Sequence, residues 1–350
     1  MCKKAIIAMS GGVDSSVAAA LMLERGFNCV GITLKLYKGE SRCCSLADVN
    51  DARNVAFSLG MDHYILNFTE EFDRQVIRRF VETYEQGETP NPCIECNRHI
   101  KFNSLLLRAR QLEFDLLVTG HYARVTQDAS GRFLLQKALD EKKDQSYVLY
   151  CLTQTQLERT SFPLGELSKN EVRKIAEQKK FVNAAKSESQ DICFVPDGDY
   201  GSFIEAYTGK TYPPGDIIDM EGRTIGRHRG IIRCTIGQRR GLGVAANVPV
   251  YVAAKSMEDN TVTLGPEAAL YSRSLITKDI NLIACGDLKK PMRVMVKTRY
   301  LQAAQSAIAE QTGENSLRID FDEPQRAITP GQAAVMYDGD IVVGGGTIAG

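Results

Sequence analysis

From Lys3 to about Asp140, apolar strand-like runs alternate with amphipathic helical stretches, and this alternation confines the chain to a mainly parallel sheet covered by helices on both faces. "AIIAM" reads as a strand, "SSVAAALMLERG" as a helix closed by Gly26, and "CVGITLKL" as a second strand. "DVNDARNVAFSLG" follows as a helix closed by Gly60, and "HYILNF" as a strand. "EEFDRQVIRRFVETYEQG" is a third helix, and "DLLVTGHYA" a strand that ends in polar residues. Doubly wound sheets bind ligands beyond the carboxyl ends of their strands, so these strand ends are the first places to look for a site.

The second half is built differently. Segments between Gln145 and Lys180 read as helical, and "AKSESQDICFVPDGDY" reads as a polar loop interrupted by a short apolar run. Composition shifts near Gly201, where "GKTYPPGDIIDMEGRTIGRHRG" has the Pro/Gly punctuation of strands and tight turns. After about Ala254 short strands recur, among them "TVTLG", "RVMVKTRY", "SLRIDF", "AAVMYDGD" and "IVVGGGTIAG", and an antiparallel barrel is their natural closure. At 350 residues the chain exceeds one ordinary core. The expected organisation is an α/β domain over 1–200, a small β-rich domain over 201–253 and a carboxy-terminal β-barrel over 254–350.

Forty-three acidic and forty-three basic residues cancel, so no global charge draws the chain toward a polyanion, and any such site must come from local clustering. No apolar run approaches the roughly 20 residues that span a bilayer, and "MCKK" leads straight into a strand. A cytoplasmic protein without membrane partners is expected.

"AMSGGVDSS" joins the first strand to the first helix. Its two glycines let the backbone approach a phosphate, and Ser10, Ser15 and Ser16 add hydroxyls beside the open amides of a helix amino terminus. The spacing is neither that of a Walker loop nor G-x-G-x-x-G. A lone "SGG" is more often a serine-capped turn. S-G-G-x-D-S between strand and helix is more specific, and it resembles the loop of the ATP pyrophosphatases, which adenylate a carbonyl oxygen and release pyrophosphate.

Ten cysteines in 350 residues are too sparse for a disulfide scaffold. Cys2, Cys29, Cys151, Cys234 and Cys285 stand alone and read as small apolar residues, and the adjacent Cys43 and Cys44 receive no role. "TPNPCIECNRHIKF" is different, because Cys93 and Cys96 form a C-x-x-C just ahead of an expected helix. A structural zinc site needs four ligands, and no second pair of matching spacing exists. A thioredoxin-like dithiol normally opens a helix directly after a strand, whereas here a long helix and a proline turn intervene. A sulfur carrier needs a distant cysteine facing the pair, and Cys193 in "SESQDICF" is the candidate.

"SGGVDSS", "TPNPCIECNRHIKF", "VTGHYAR", "KDQSYVL", "SQDICF", "TIGQRRGLG" and "ITPGQAAVMYDGD" are similar, in this order, to segments of the bacterial tRNA-specific 2-thiouridylases. The resemblance implies ATP- and magnesium-dependent conversion of a tRNA wobble uridine to 2-thiouridine. It implies that Cys96 is the nucleophile and Cys193 the persulfide-bearing cysteine, with Asp14 also catalytic. Ala8, Met9, Ser10, Gly11, Gly12, Val13, Asp14 and Ser15, with Leu34 and Gly120, match ATP-binding positions. Asn91, Pro92 and Cys93 match the segment that approaches the target base. His121, Lys143, Asp144, Gln145, Arg299, Tyr300 and Gln332 match tRNA-contacting positions. The implied partners are the anticodon stem-loop of Lys-, Glu- and Gln-type tRNAs and a persulfide donor or relay protein. One residue departs from the pattern: many family members carry Asp where this chain has Cys93.

The chemistry suits these residue types. The uridine C2 carbonyl is a poor electrophile, so ATP activates its oxygen as an adenylate, and sulfur then arrives as a nucleophile. Arg98, His99 and Lys101 near a helix start are a suitable setting for a thiolate at Cys96. The alternative carrier is an iron-sulfur cluster on Cys93, Cys96 and Cys193 with one iron left open. Six arginines lie between Arg223 and Arg240 with no acid between Glu221 and Glu258, which reads as a phosphate-binding stripe containing Arg239 and Arg240. Two rival readings are an ATP-dependent amidotransferase acting on a small molecule and a noncatalytic RNA-binding protein with ATP as a ligand.

Overall fold

The computed structural model describes residues 3–39, 45–187, 192–195, 197–245 and 247–350. Cys2, Cys43, Cys44 and the "ESQD" that precedes Ile192 lie outside the described residues.

Strands β1 (Lys4–Ala8), β2 (Asn28–Lys35), β3 (His63–Asn67), β4 (Leu116–Val118) and β7 (Thr160–Ser161) form a parallel sheet in the order β3-β2-β1-β4-β7. The chain runs outward from β1 to β3 and then returns to the other flank of β1. This reversal puts the topological switch between β1 and β4, where a doubly wound sheet opens a crevice beyond its carboxyl ends. Helix α1 (Val13–Glu24) ends at Gly26 and α2 (Leu46–Ser58) is followed by Gly60, both glycines in the left-handed region at φ 81° and 70°. Helix α2 begins with a reciprocal cap in which Ser45 and Asp48 exchange hydrogen bonds.

The long helix expected before the cysteine pair is continuous but not uniform: Thr69–Phe72 and Arg78–Glu85 are α-helical and Asp73–Ile77 is a π turn. After the turn at Gly87, a second helical run comprises Pro92–Glu95, the π-wound Cys96–Leu105 and Leu106–Gln111. The cysteines therefore lie inside the first turns of this run, not ahead of it. The reason is Pro92, which takes a first-turn position where its missing N–H costs nothing.

The central module begins with a helix, Tyr200–Thr208, and then forms a four-stranded sheet from β8 (Gly215–Ile218), β9 (Thr224–His228), β10 (Tyr251–Ser256) and β11 (Thr261–Gly265). "TVTLG", expected in the barrel, is β11 and pairs with β8. The sheet thus runs to Gly265, past the expected end at residue 253. Alternating Val262 and Leu264 face Ile217, Ile231 and Val252 in a small core of their own, and alternation alone does not say which sheet a strand joins.

Strands β12 (Tyr271–Leu282), β13 (Met292–Lys297), β14 (Gln305–Gly313), β15 (Ser316–Arg326), β16 (Ala333–Asp338) and β17 (Ile341–Ile348) form an antiparallel sheet that the β12–β17 pairing closes into a six-stranded barrel. A hairpin from the α/β domain, β5 (Arg124–Gln127) and β6 (Phe133–Gln136), extends it by pairing with β17. The main core runs across this junction, with Phe80, Phe102, Tyr147 and Tyr150 from one side and Ala333, Val335, Tyr337 and Val342 from the other. Tyr147 donates to the Ala333 carbonyl at 2.9 Å, and Asn281 donates to the carbonyls of Tyr150 and Leu152 at 2.6 and 2.9 Å. The barrel and the α/β domain share one apolar interior. Among the described residues no helix is long and apolar enough to cross a membrane.

Candidate active site

The loop after β1 and the loop after β4 meet at the sheet switch. Gly11 takes φ 78°, and Gly12 caps α1 with no side-chain cap hydrogen bond, so the first-turn amides, which have no acceptor within the helix, receive none from the cap residue. Ser15 and Ser16 turn their hydroxyls onto the Gly12 carbonyl, each at 3.0 Å, and the Ser10 amide donates to the Ser15 hydroxyl at 3.2 Å. Opposite them Gly120 approaches so closely that an added Cβ would lie 2.7 Å from the Ser15 nitrogen and 2.8 Å from the Asp14 carbonyl carbon. Leu34 is buried on β2 beside β1. The structure therefore brings the Ala8–Ser15 loop and Gly120 together.

Sequence reasoning missed the residues that brace this loop. Asp14 accepts from Lys169 at 2.6 Å and from the Tyr122 hydroxyl at 2.8 Å. Buried Asn183 donates to the Gly11 carbonyl at 3.0 Å and to the Ser16 hydroxyl at 2.9 Å. Lys186 reaches the Gly11 carbonyl at 3.3 Å and both Asp48 and Asp51 at 2.6 Å. Burial by itself would raise the Asp48 carboxyl, but its bonds to Lys186 and Ser45 hold it below the usual carboxylate range. The one available signal was the position of Asn183 and Lys186 just upstream of the Cys193 motif.

Cys93 is exposed and Cys96 half-buried on the helical run that starts at Pro92. The cations expected to support Cys96 are largely engaged elsewhere. Glu95 gathers Arg79 at 3.1 Å, Arg98 at 3.6 Å and His99 at 3.3 Å, the last lying off the direction of a good hydrogen bond. Burial would raise the Glu95 carboxyl, and His99, Arg98 and Arg79 outweigh it, so its pKa is lowered. Lys101 lies 3.4 Å from His121 Nε2, and Thr119 lies 2.7 Å from Nδ1. An ammonium only donates, so Nε2 accepts and Nδ1–H points to Thr119. Burial and the adjacent Lys101 hold this imidazole well below its ordinary pKa, and the ring is neutral, packed between Phe102 and Phe162. His121, expected at a tRNA surface, is buried and thus links the cysteine helix to the loop after β4.

Cys193 is half-buried and packs, like Cys96, on the main core. Its neighbour Phe194 stands edge-on to Phe72 and Phe80, with centroids 5.8 and 5.2 Å away. Cys151, Cys29 and Cys234 are buried as expected, and burial pushes the Cys151 thiol up to about 11. Among the described residues no three His, Cys, Asp or Glu side chains come together as a metal-binding group, and Cys93, Cys96 and Cys193 are all described.

The expected RNA-contacting residues divide into two kinds. Asp144 is 7% exposed, and its carboxylate accepts from the Ala138 and Ser146 amides and the Ser146 hydroxyl, so it is a turn organiser. Gln145 exchanges hydrogen bonds with the Tyr122 backbone at 3.0 and 2.9 Å, while Lys143 beside them is half-buried. Arg299 is partly buried and donates to the Ala327 carbonyl and Thr329 hydroxyl, each at 2.9 Å, and Tyr300 lies 6.0 Å from the Tyr147 ring. Arg239 and Arg240 are exposed in the loop that passes over Arg299 at Gly237.

The arginine stripe is not uniform in space. Arg223 pairs with Asp219 and Glu221, Arg227 with Asp216, and Arg233 with Asp199 and Glu205. Among the described residues Arg229, Arg239 and Arg240 make no ion pair. Arg223 is met by acids of its own turn, and Arg227 and Arg233 by acids of neighbouring elements, which narrows the basic surface to the Arg239–Arg240 end. A cleft of about 380 Å³ lies between the barrel and the α/β domain, lined by Glu95, Arg98, Lys278 and Gly331 among others. Neither Cys93 nor Cys96 lines it, so it is the back of the cysteine helix.

A loop at the sheet switch point, a cysteine-bearing helix and two β modules following in the chain are the architecture that three family models match in order. A family model described as the tRNA methyl transferase HUP domain matches residues 3–197, its PRC-barrel companion matches 201–266, and an aminomethyltransferase β-barrel domain matches 272–348. A protein named tRNA-specific 2-thiouridylase from Clostridioides difficile is 47% identical over 99% of this chain and 98% of its own length. Its namesake from Carboxydothermus hydrogenoformans is 48% identical over 99% of this chain and 97% of its own. The chain belongs to the tRNA-specific 2-thiouridylase family, a family of tRNA sulfurtransferases, as its motifs led one to expect. Among solved structures, a 4-thiouridine synthetase in complex with RNA and ATP aligns with a TM-score of 0.37 at 20% identity, covering 58% of this chain and 50% of that one. The U34-tRNA thiolase of Methanococcus maripaludis, with its [4Fe-4S] cluster, aligns at 0.34 and 18%, covering 59% and 65%.

Proposed function

We propose that the protein converts the wobble uridine of tRNA to 2-thiouridine, using ATP to adenylate the C2 oxygen and a persulfide on Cys193 as the sulfur source. One observation carries this reading. The segment leading to Cys193 is tied at Asn183 and Lys186 to the Gly11 carbonyl of the nucleotide loop, and the residue after Cys193 is seated against Phe80 of the helix preceding the cysteine pair. Asn183 and Lys186 thus touch the loop assigned to activation, and Phe194 touches the helix that precedes the proposed nucleophile.

In this reading the open amides of α1 and the glycines beside them hold the ATP phosphates, with Asp14 and the serines as the groups that would hold magnesium when it is bound. The C2 oxygen attacks the α-phosphorus and pyrophosphate leaves. Either the outer sulfur of the Cys193 persulfide attacks C2 and the Cys96 thiolate then attacks the Cys193 Sγ, breaking the S–S bond and leaving the sulfur on C2, or that thiolate attack comes first and frees hydrosulfide, which adds to C2. AMP departs with the former carbonyl oxygen, the product is the thiocarbonyl, and the Cys96–Cys193 disulfide is reduced by cellular thiols. The steps of this reading use the persulfide alone and route nothing through an iron-sulfur cluster. RNA lies along the band from Arg240 past Arg299 and Tyr300, and the target base leaves its stack to enter the Asn91–Cys93 segment. An amidotransferase acting on a small molecule would not need this band or the distant cysteines.

Purified protein with ATP, magnesium, a persulfide donor and unmodified tRNA is expected to yield 2-thiouridine by nucleoside mass spectrometry, and Asp14→Ala and Cys193→Ser to abolish it. Pyrophosphate release that needs no tRNA, with no thiolated product, would overturn the reading. Thiolation that tracks a brown, iron-containing protein would replace the persulfide with a cluster.

A further inference from the structure

The segment from Thr89 to Pro92 carries the cysteine helix but cannot hold itself. Two of its four residues are prolines, so it has few amide donors and a surplus of carbonyl acceptors. The barrel supplies what is missing. The Gln332 side-chain amide donates to the Thr89 carbonyl at 2.9 Å and to the Pro90 carbonyl at 3.1 Å. The Thr89 amide in turn donates to the Pro330 carbonyl at 2.8 Å. Lys278 on β12 holds Glu88 at 3.0 Å.

The barrel loop is itself fixed. The Gly331 amide donates to the Ile348 carbonyl at 2.9 Å, and the Ile348 amide to the Gln332 carbonyl at 2.8 Å. Gly331 sits at φ 86°, and a Cβ there would lie 2.9 Å from both the nitrogen and the oxygen of Thr89. Only glycine allows this approach. Because Pro90 and Pro92 lock their own φ angles, a displacement at Thr89 is passed stiffly to Asn91 and to the helix start that carries Cys93 and Cys96.

We propose that Gln332, seated by Gly331, is a positioning residue through which the barrel sets the placement of the Asn91–Cys96 segment. Both of its amide donors are committed to the cysteine loop, so its role is distinct from the direct tRNA contact that family resemblance suggests. The proposal rests on the reading of Cys96 as the nucleophile.

Gln332→Glu in the full-length chain keeps the side-chain size and turns two donated hydrogen bonds into carboxylate–carbonyl repulsion. The expected result is a fall in kcat for tRNA thiolation on the order of ten- to a hundred-fold, the scale of an ångström misplacement, with the Kd for tRNA unchanged. In a Cys93→Ser background without tRNA, the rate of Cys96 alkylation by iodoacetamide, followed by mass spectrometry, is expected to rise several-fold in the same variant. Gly331→Ala should reproduce both changes through steric displacement, which keeps the test open if one variant folds poorly. Weakened tRNA binding with unchanged kcat and unchanged alkylation would overturn the proposal and make Gln332 an RNA contact. Cys96→Ser assayed alongside separates the two readings. If it still thiolates, the nucleophile assignment fails, while the alkylation rate still decides whether the barrel positions the loop.

Discussion

Glu95 shows how one residue can organise a site without taking part in its chemistry. It lies between the two cysteines of the motif, and its neighbours His99, Arg98 and Arg79 overcome the cost of its burial and lower its pKa. A depressed carboxyl stabilises the fold above its unfolded value near 4.3, and that stabilisation is lost as pH falls through the lower folded value. Glu95→Gln is therefore expected to lower Tm at neutral pH, with the gap to the parent protein narrowing below about pH 4.3. A gap in thermal melts that stays constant with pH would show that the charge of Glu95 contributes nothing. Asp144 is a related case. A charged residue within a motif reads as a contact, yet here its carboxylate is consumed by a turn, and only the folded structure reveals where its lone pairs go.

At the scale of elements, the glycines separate function from folding. Gly26 sits at φ 81° with nothing within 4 Å of an added Cβ, so Gly26→Ala costs backbone strain alone, about 1 kcal/mol. Gly120 carries no such strain, but its Cβ would strike the backbone of Asp14 and Ser15 at the start of α1. Gly120→Ala is expected to weaken ATP binding on the order of ten-fold or more by forcing the two loops apart, whereas Gly26→Ala leaves it intact, as isothermal titration can measure. Equal losses in both variants would mean that the β4 loop does not set the nucleotide loop. The glycine-closed ends of α1 and α2 and the strand-to-helix order were legible from the sequence, because each depends on local conformational preference, whereas the start of the cysteine helix at Pro92 was not. The π turns at Asp73–Ile77 and Cys96–Leu105 were not, since packing against other elements selects them.

For the whole molecule, the arginine stripe is the clearest case of tertiary revision. Arg239→Ser with Arg240→Ser is expected to reduce the slope of log affinity for tRNA against log salt by roughly 0.7–0.9 for each phosphate the protein no longer neutralises. Arg223→Ser with Arg227→Ser should leave the slope as it is, because those guanidiniums already neutralise acids of the protein. Identical slopes for the two double variants would return the surface to an undivided stripe. The order of modules, the switch-point loop and the family were set by the sequence itself, because spacing, hydrophobic period and turn residues act over a few neighbours. Only the tertiary structure decided that β11 joins the central sheet, that Lys169, Asn183 and Lys186 brace the nucleotide loop, and that Gln332 holds the cysteine segment. Those partners lie up to 243 residues apart, and no local preference specifies which distant donor meets an unsatisfied carbonyl; burial of the shared core does.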